Sequence, residues 1–193
     1  KDHVKPDPFD QFSLWFEKIL KEKVRMANAI ILATANQDGQ PSQRTVLLKE
    51  YSDKGFVFFT NYNSQKGQEL NQNKKASILI TWLDHEREIR IQGQVRKTSA
   101  DQSDAYFNSR PLESQFAAIA SKQSQAIADR DELEERVKAL KKQTQNPKRP
   151  ENWGGFILIP DQFEFWQGRE NRLHDRIQYQ KQDNLWIIRR LSP

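Results

Sequence analysis

The order of β-rich and helical segments predicts an α+β fold built on an antiparallel sheet or barrel. Two observations carry this. Several β-branched and aromatic runs come early, joined by short turn signals; a helical stretch follows, and strand-like runs then resume to the C-terminus. Strands and helices do not alternate regularly, so a doubly wound parallel sheet is not expected. The size agrees: 193 residues can bury a core, and 11 Phe, 5 Trp and 4 Tyr supply the apolar area. The expectation is one domain over residues 1–193, with an N-terminal helix and a helical insertion at about 99–143.

The first element is a helix capped by Asp7, with Pro8 in its first turn and Phe9, Phe12, Phe16, Ile19 and Leu20 at helical spacing. Residues 29–35 (AIILATA) read as a strand ending at the hairpin signal Asp38-Gly39. Residues 43–49 (QRTVLLK) form the next strand, followed by the turn-rich EYSDKG and the strand FVFFT at 56–60. Ser64 caps a short helix over SQKGQELNQN. Residues 76–82 are a strand, and 88–95 alternate, with Ile89, Ile91 and Val95 on one face and Arg90, Gln92 and Gln94 on the other. Helices are expected at 100–108, 113–128 and 129–142; in the last, acids lead and bases follow, complementing the helix dipole. Strands resume at 155–159, 162–166 and 184–190.

Composition removes whole classes of function. There is no Cys, so disulfides, thiolate nucleophiles and Cys-ligated metal are excluded. No run approaches ~18 apolar residues, and the opening KDHVKPDPF has no apolar h-region, so neither a membrane helix nor a signal peptide is expected and the cytoplasm is the default location. The opening also lacks an initiator Met, which fits a trimmed N-terminus. His3, His85 and His174 have no metal-ligand spacing. Neither G-x-G-x-x-G, a P-loop nor G-x-S-x-G occurs. A net charge of +5 suits anionic ligands.

Four segments concentrate polar and basic groups. Arg44 and Lys49 differ in parity, so on one strand they would face opposite sides and could hold two different anions; two ordinary charges at strand ends are the plain alternative. Residues 59–67 run from a strand end into a helix start, where hydroxyls, backbone N–H groups and Lys66 suit a phosphate; taken alone, the segment reads first as a capped turn. Tyr106, Arg110 and Ser114, with Ser121-Lys-Gln123-Ser124 behind them, offer phosphate donors stiffened by Pro111. Trp166, Arg169, Arg172, His174 and Arg176 crowd the fourth. On an extended segment Arg172, His174 and Arg176 share a face, as in a nucleic-acid patch or a salt-bridged loop.

Taken together and in order, RTVLLK, SRPxxSQ, SxQS, FEFWQGRENRLHDR and the closing RLSP resemble the pyridoxamine 5′-phosphate oxidase family over about Asp7 to Pro193. The resemblance implies an FMN-binding split β-barrel, antiparallel and Greek-key-like with peripheral helices, acting as a homodimer with FMN at the interface. It implies oxidation of pyridoxine or pyridoxamine 5′-phosphate to pyridoxal 5′-phosphate, with O2 as acceptor and H2O2 released, and no nucleic-acid or membrane partner. FMN would be held by Arg44, Thr45, Val46, Leu47, Leu48, Lys49, Phe59, Thr60, Lys66, Gln123, Ser124, Trp166 and Arg176, with Gln65 and Glu88 at two further cofactor positions. Substrate would be held by Lys49, Tyr106, Arg110, Ser114, Arg172, Leu173 and His174, with Arg172 and His174 at the reacting face.

This chain departs from the family pattern in places. Gln65 stands where a basic residue is usual and Glu88 where a Gln faces FMN. Arg169 and Asn171 alter the last motif, and Phe116-Ala117-Ala118 replaces Ile-Gly-Ala. The competing readings are a split-barrel flavoprotein with another substrate, a non-catalytic FMN or pyridoxal-phosphate carrier, and a nucleic-acid-binding barrel. The last needs exposed aromatics for base stacking, whereas most aromatics here fall in apolar strand patterns.

Overall fold

The computed structural model describes residues 4–193; His3 and the first residues of the opening segment lie outside the described residues. Helix α1 (Pro8–Lys21) starts where Asp7 accepts a hydrogen bond from the Phe9 N–H at 2.7 Å. Its buried stripe of Phe12, Phe16 and Ile19 covers one mouth of the sheet, with the Phe12 ring 4.8 Å from Tyr51 and 4.9 Å from Phe56.

Among the described residues the sheet has nine strands, every pair antiparallel. They are β1 (Ala29–Ala35), β2 (Pro41–Leu47), β3 (Glu50–Ser52), β4 (Gly55–Asn61), β5 (Lys75–Trp82), β6 (Arg87–Lys97), β7 (Trp153–Gln167), β8 (Asp175–Gln182) and β9 (Leu185–Leu191). The path runs β2-β1-β5-β6-β7-β4-β3, and the β8–β9 hairpin joins through β7. The inner face is apolar because every second residue points there: Ile89, Ile91 and Val95 from β6, Phe163 and Phe165 from β7, Ile177 and Tyr179 from β8. The β1–β2 turn uses Gly39 at φ +84°, a conformation an L side chain resists. Among the described residues no helix is long and apolar enough to cross a membrane.

Four sequence expectations change. The segments 155–159 and 162–166 are one strand, β7. Pro160 does not break it, because the β6 register shifts between Gln92 and Gly93 opposite that residue, where a missing N–H costs no ladder bond. The helix expected over 113–128 stops at Ala120: α4 is Leu112–Ala120. Residues 121–125 leave helical geometry because tertiary bonds capture them. Asn61 Nδ2 donates to the Ser121 carbonyl at 3.3 Å, and Gln123 Oε1 accepts from Lys66 and Thr60. The turn-rich EYSDKG contains a short strand, β3. Strand β8 lies where no strand is expected, since only Ile177 and Tyr179 mark its buried face among charged and amide residues. The helices α2 (Gln65–Gln72), α3 (Ala100–Ser109) and α5 (Arg130–Gln143) lie where expected, capped by Ser64, Ser99 and Asp129.

The bulge makes a stability test. A Cβ on Gly93 would lie 2.1 Å from the Ile159 carbonyl oxygen, a backbone atom that cannot swing aside. Gly93→Ala is expected to cost about 2 kcal/mol or more and lower Tm by roughly 4–8 °C. A thermal melt unchanged within a degree would show that the β6–β7 approach is looser than described.

Candidate functional site

A cleft of about 970 Å3 opens between β2, the end of β4, the start of α2, the α3–α4 turn and residues 121–124. Arg44, Thr45, Val46, Leu47, Lys49, Phe59, Thr60, Gln65, Lys66, Tyr106, Arg110, Ser114, Gln123 and Ser124 line it. Leu48 does not: it is a core residue, 4% exposed.

Arg44 and Lys49 were expected on opposite faces; both line the cleft. The parity argument fails because β2 ends at Leu47. The chain then turns, with the Leu48 N–H bonded to the Asn28 carbonyl and the Lys49 N–H to the Val57 carbonyl at 2.9 Å. Lys49 thereby turns into the same cleft as Arg44.

One end of the cleft is built on the N-terminus of α2. Ser64 caps it, and Lys66 is 6% exposed. The Lys66 ammonium lies 3.2 Å from Thr60 Oγ1, Ser64 Oγ and Gln123 Oε1, three neutral oxygens. Burial, reinforced by the Arg44 charge, lowers its pKa to about 8, with Glu69 acting weakly the other way. Arg44 is differently placed. Its Nη2 is 3.3 Å from Glu69, and it also reaches Thr34, Ser42 and the Leu32 carbonyl. Glu69 is 7% exposed; burial pushes its pKa up, but hydrogen bonds from Ser42, Thr34 and Gln65 outweigh that and hold the carboxyl below its usual range. Gln65, the residue where a cation is usual, donates to Glu69 Oε1 at 2.9 Å. The Arg44 charge is therefore matched by a carboxylate, and the Lys66 charge is not. The donor chemistry fits a phosphate group here: a buried cation, hydroxyls and backbone N–H groups at a helix start.

The other end is aromatic and cationic. Phe59 stacks on Tyr106 at 3.9 Å between centroids, and Tyr106 lies nearly parallel to Trp153 at 6.1 Å. The Arg110 guanidinium sits 4.8 Å from the Trp153 ring centroid, and Lys49 Nζ is 5.6 Å from that of Tyr106. The α3–α4 turn that presents Arg110 is fixed by Gln115 Nε2, which donates to the Arg110 carbonyl at 2.8 Å. Arg110 Nη1 is buried without a hydrogen-bond partner among the described residues, and burial lowers the Arg110 pKa. Such an atom is costly unless a ligand satisfies it. Trp153 belongs to this wall and was missed in the sequence; the only signal was a Trp before Gly154-Gly155.

Glu88, Trp166, Arg172, Leu173, His174 and Arg176 are not in this cleft. They gather at the far end of β6, β7 and β8, where Glu88 pairs with Trp166 and Trp166 with Arg176 in register. His174 lies 4.7 Å from the Trp166 ring, and its Nδ1 accepts from the Arg169 N–H at 3.1 Å. That bond places the proton of the neutral imidazole on Nε2. The shared extended face expected for Arg172, His174 and Arg176 does not form. A 3-10 turn spans Glu170–Arg172, with Asn171 at φ +54° and Arg172 at φ +60°, so Arg172 and Leu173 project into solvent while Arg176 lies in β8. Asp175 pins this loop by accepting from Arg169 and Arg190, which hold its carboxyl below the usual range.

One chain thus carries two separate halves of the candidate set. Comparisons with known proteins cover both. A family model described as pyridoxamine 5′-phosphate oxidase matches residues 16–144. A second, described as the pyridoxine 5′-phosphate oxidase C-terminal dimerisation region, matches residues 153–193. A Nostoc relative named pyridoxine/pyridoxamine 5′-phosphate oxidase is 49% identical over 98% of this chain and 90% of its own length. One of that name from Paraburkholderia phymatum is 51% identical over 98% and 91%. Among solved structures, PhzG from Burkholderia lata, in complex with tetrahydrophenazine-1-carboxylic acid, matches with a TM-score of 0.95 at 30% identity, over 100% of this chain and 95% of that one. A pyridoxamine 5′-phosphate oxidase-related, FMN-binding protein from Nostoc punctiforme shares the fold, with a TM-score of 0.76 at 16% identity over 98% and 100%. The fold is a split barrel, shared with the FMN-binding protein from Nostoc punctiforme, and with matches through both the cleft and the β7–β9 edge, the chain belongs to the pyridoxamine 5′-phosphate oxidase family.

Proposed function

We propose that the chain is an FMN-dependent oxidase of pyridoxine and pyridoxamine 5′-phosphates. It works as a homodimer in which the cleft of one subunit meets the β7–β8 edge of the other. The observation that carries this is the orphaned Arg110 Nη1. It sits in a cleft that already has a second cation, Lys66, without a matching carboxylate. Two unmatched cationic grips suit two phosphorylated ligands, one the flavin and one the substrate.

Lys66, Thr60, Gln123 and Ser124 would hold the FMN phosphate, with Arg44 behind them. Bound FMN would supply the two-electron oxidation of the substrate, with O2 as final acceptor and H2O2 as its product. Arg110, Lys49, Tyr106 and Ser114 would grip the substrate phosphate and so set the distance of its ring from the cofactor. Arg172, Leu173 and His174 of one subunit would close over substrate in the other's cleft. His174 would then present its Nε2–H as a donor to a substrate oxygen. Leu173, Leu185 and Ile187, exposed at 70%, 68% and 36%, give that edge an apolar margin that dimerisation would cover. The match to a dimerisation region supports the same arrangement.

The test is turnover of FMN-loaded protein with pyridoxamine 5′-phosphate. We expect one O2 consumed and one H2O2 and one ammonia released per pyridoxal 5′-phosphate, and unphosphorylated pyridoxamine at least ~10-fold poorer in kcat/KM. FMN uptake without turnover would make the chain a carrier. Equal use of the unphosphorylated compound would overturn the phosphate grip.

A further inference from the structure

The outward face of β6, β7 and β8 carries a row of charges that no part of the cleft explains. The registers Glu88↔Trp166↔Arg176 and Arg90↔Glu164↔Gln178 put these side chains on one face, opposite the buried Ile89, Phe163 and Phe165. Glu164 is only 5% exposed although it is on the outward side. Two arginines cover it. Arg176 Nε donates to Glu164 Oε1 at 2.7 Å, and Arg90 Nη1 lies 3.8 Å from the same oxygen. Arg90 Nε in turn donates to Glu88 Oε1 at 2.6 Å. Arg176 Nη1 donates to the Ser192 carbonyl at 3.0 Å. The row therefore reads Glu88, Arg90, Glu164, Arg176, alternating in sign and neutral in sum.

A carboxylate this buried is retained only with close partners, because its desolvation is otherwise uncompensated. The pairing also fixes direction. With Nε on Glu164 and Nη1 on Ser192, Arg176 has two of its three nitrogens tied down, which aims the guanidinium along one line. The hydrogen bond to Glu164 raises the Arg176 pKa accordingly. Glu88, left alone at this edge, would repel an electron-rich ligand; held by Arg90, it does not.

We propose that Glu164 is a positioning residue for flavin binding: it aims Arg176 at the cofactor and shares Arg90, which cancels the charge of Glu88. The proposal rests on the functional reading above, with Arg176 and Glu88 at the cofactor positions that the family resemblance implies.

Two double-mutant cycles test it, with the FMN Kd read by quenching of flavin fluorescence. Glu164→Gln is expected to raise Kd about tenfold in the native background but less than about threefold in an Arg176→Ala background, since it acts through Arg176. Arg90 is about half exposed, so Arg90→Gln keeps the fold. It should raise Kd about tenfold when Glu88 is present and less than about threefold alongside Glu88→Gln. The midpoint potential of the bound flavin, which a merely structural role would not move, should fall in Arg90→Gln and hold steady when Arg90→Gln is added to Glu88→Gln. An undiminished loss in either doubly substituted background, or an equal potential shift with and without Glu88, overturns this proposal alone. Failure of the unsubstituted chain to take up FMN overturns the functional reading and this proposal with it.

Discussion

Arg110→Ala is expected to raise KM for pyridoxamine 5′-phosphate by about 10- to 100-fold while kcat changes little. A charge-assisted contact to phosphate is worth roughly 1.5–3 kcal/mol, and a contact made equally in the ground and transition states appears in KM. The guanidinium is already oriented over Trp153 with Nη1 unsatisfied, so none of this energy is spent on ordering the side chain. Truncation should leave FMN affinity within about twofold, because Lys66, proposed to hold the flavin phosphate, lies at the other end of the cleft. Steady-state kinetics over a range of substrate concentrations checks this. An unchanged KM in a folded variant would move the substrate phosphate elsewhere.

Lys66→Met should have the larger effect on cofactor. Among the described residues Lys66 has no carboxylate partner, and its loss is expected to weaken FMN by about 10- to 100-fold. The pH dependence carries the clearer signature. In the unloaded protein Lys66 titrates at about 8, against 10.5 for a free lysine. A phosphate dianion favours the charged form, so FMN should bind tightest below that value. Its Kd should rise about tenfold between about pH 7.5 and 9.5, and Lys66→Met should flatten the curve. Protein stability runs the other way. The unfolded chain holds the Lys66 proton up to about 10.5 and the native state only to about 8, so this group adds stability as pH climbs through that window and withdraws it as pH falls. Parallel pH profiles for Lys66→Met and the parent would remove Lys66 from the phosphate site.

Much of this molecule is legible in its sequence wherever a local rule decides. Helix α1 is announced by Asp7-Pro8 and α5 by Asp129, since an N-cap acts within a few residues. Strand β6 is announced by the two-residue period of Ile89, Ile91 and Val95. The motifs around Arg44, Lys66, Arg110 and Gln123 mark side chains that do converge on one cleft. What local rules miss is set by distant partners. Lys49 leaves its strand because its N–H finds Val57. Helix α4 stops early because Lys66 and Asn61 hold residues 121 and 123. Glu69 looks like any helical carboxylate until Thr34 and Ser42 close over it from β1 and β2. Strand β8 hides because its outward face is polar, and Pro160 hides the continuity of β7 because the bulge shows only in the pairing with β6. The departure at Glu88 is likewise unreadable alone; Arg90 and Glu164 give it its electrostatic setting.

The central claim is that the Arg110 cleft of one subunit and the Arg172–His174 loop of the other make one active site. Complementation between two inactive variants tests it most directly. Arg110→Ala and Arg172→Ala proteins, each nearly inactive at limiting substrate, are unfolded together in equal amounts, refolded with FMN and assayed. Random pairing makes half the dimers mixed, and each mixed dimer has one intact site if the halves come from different subunits, so about a quarter of parent activity should return. Activity no higher than the mean of the two separate variants, with mixed dimers demonstrably present, would place both residues in the same subunit's site and contradict the account.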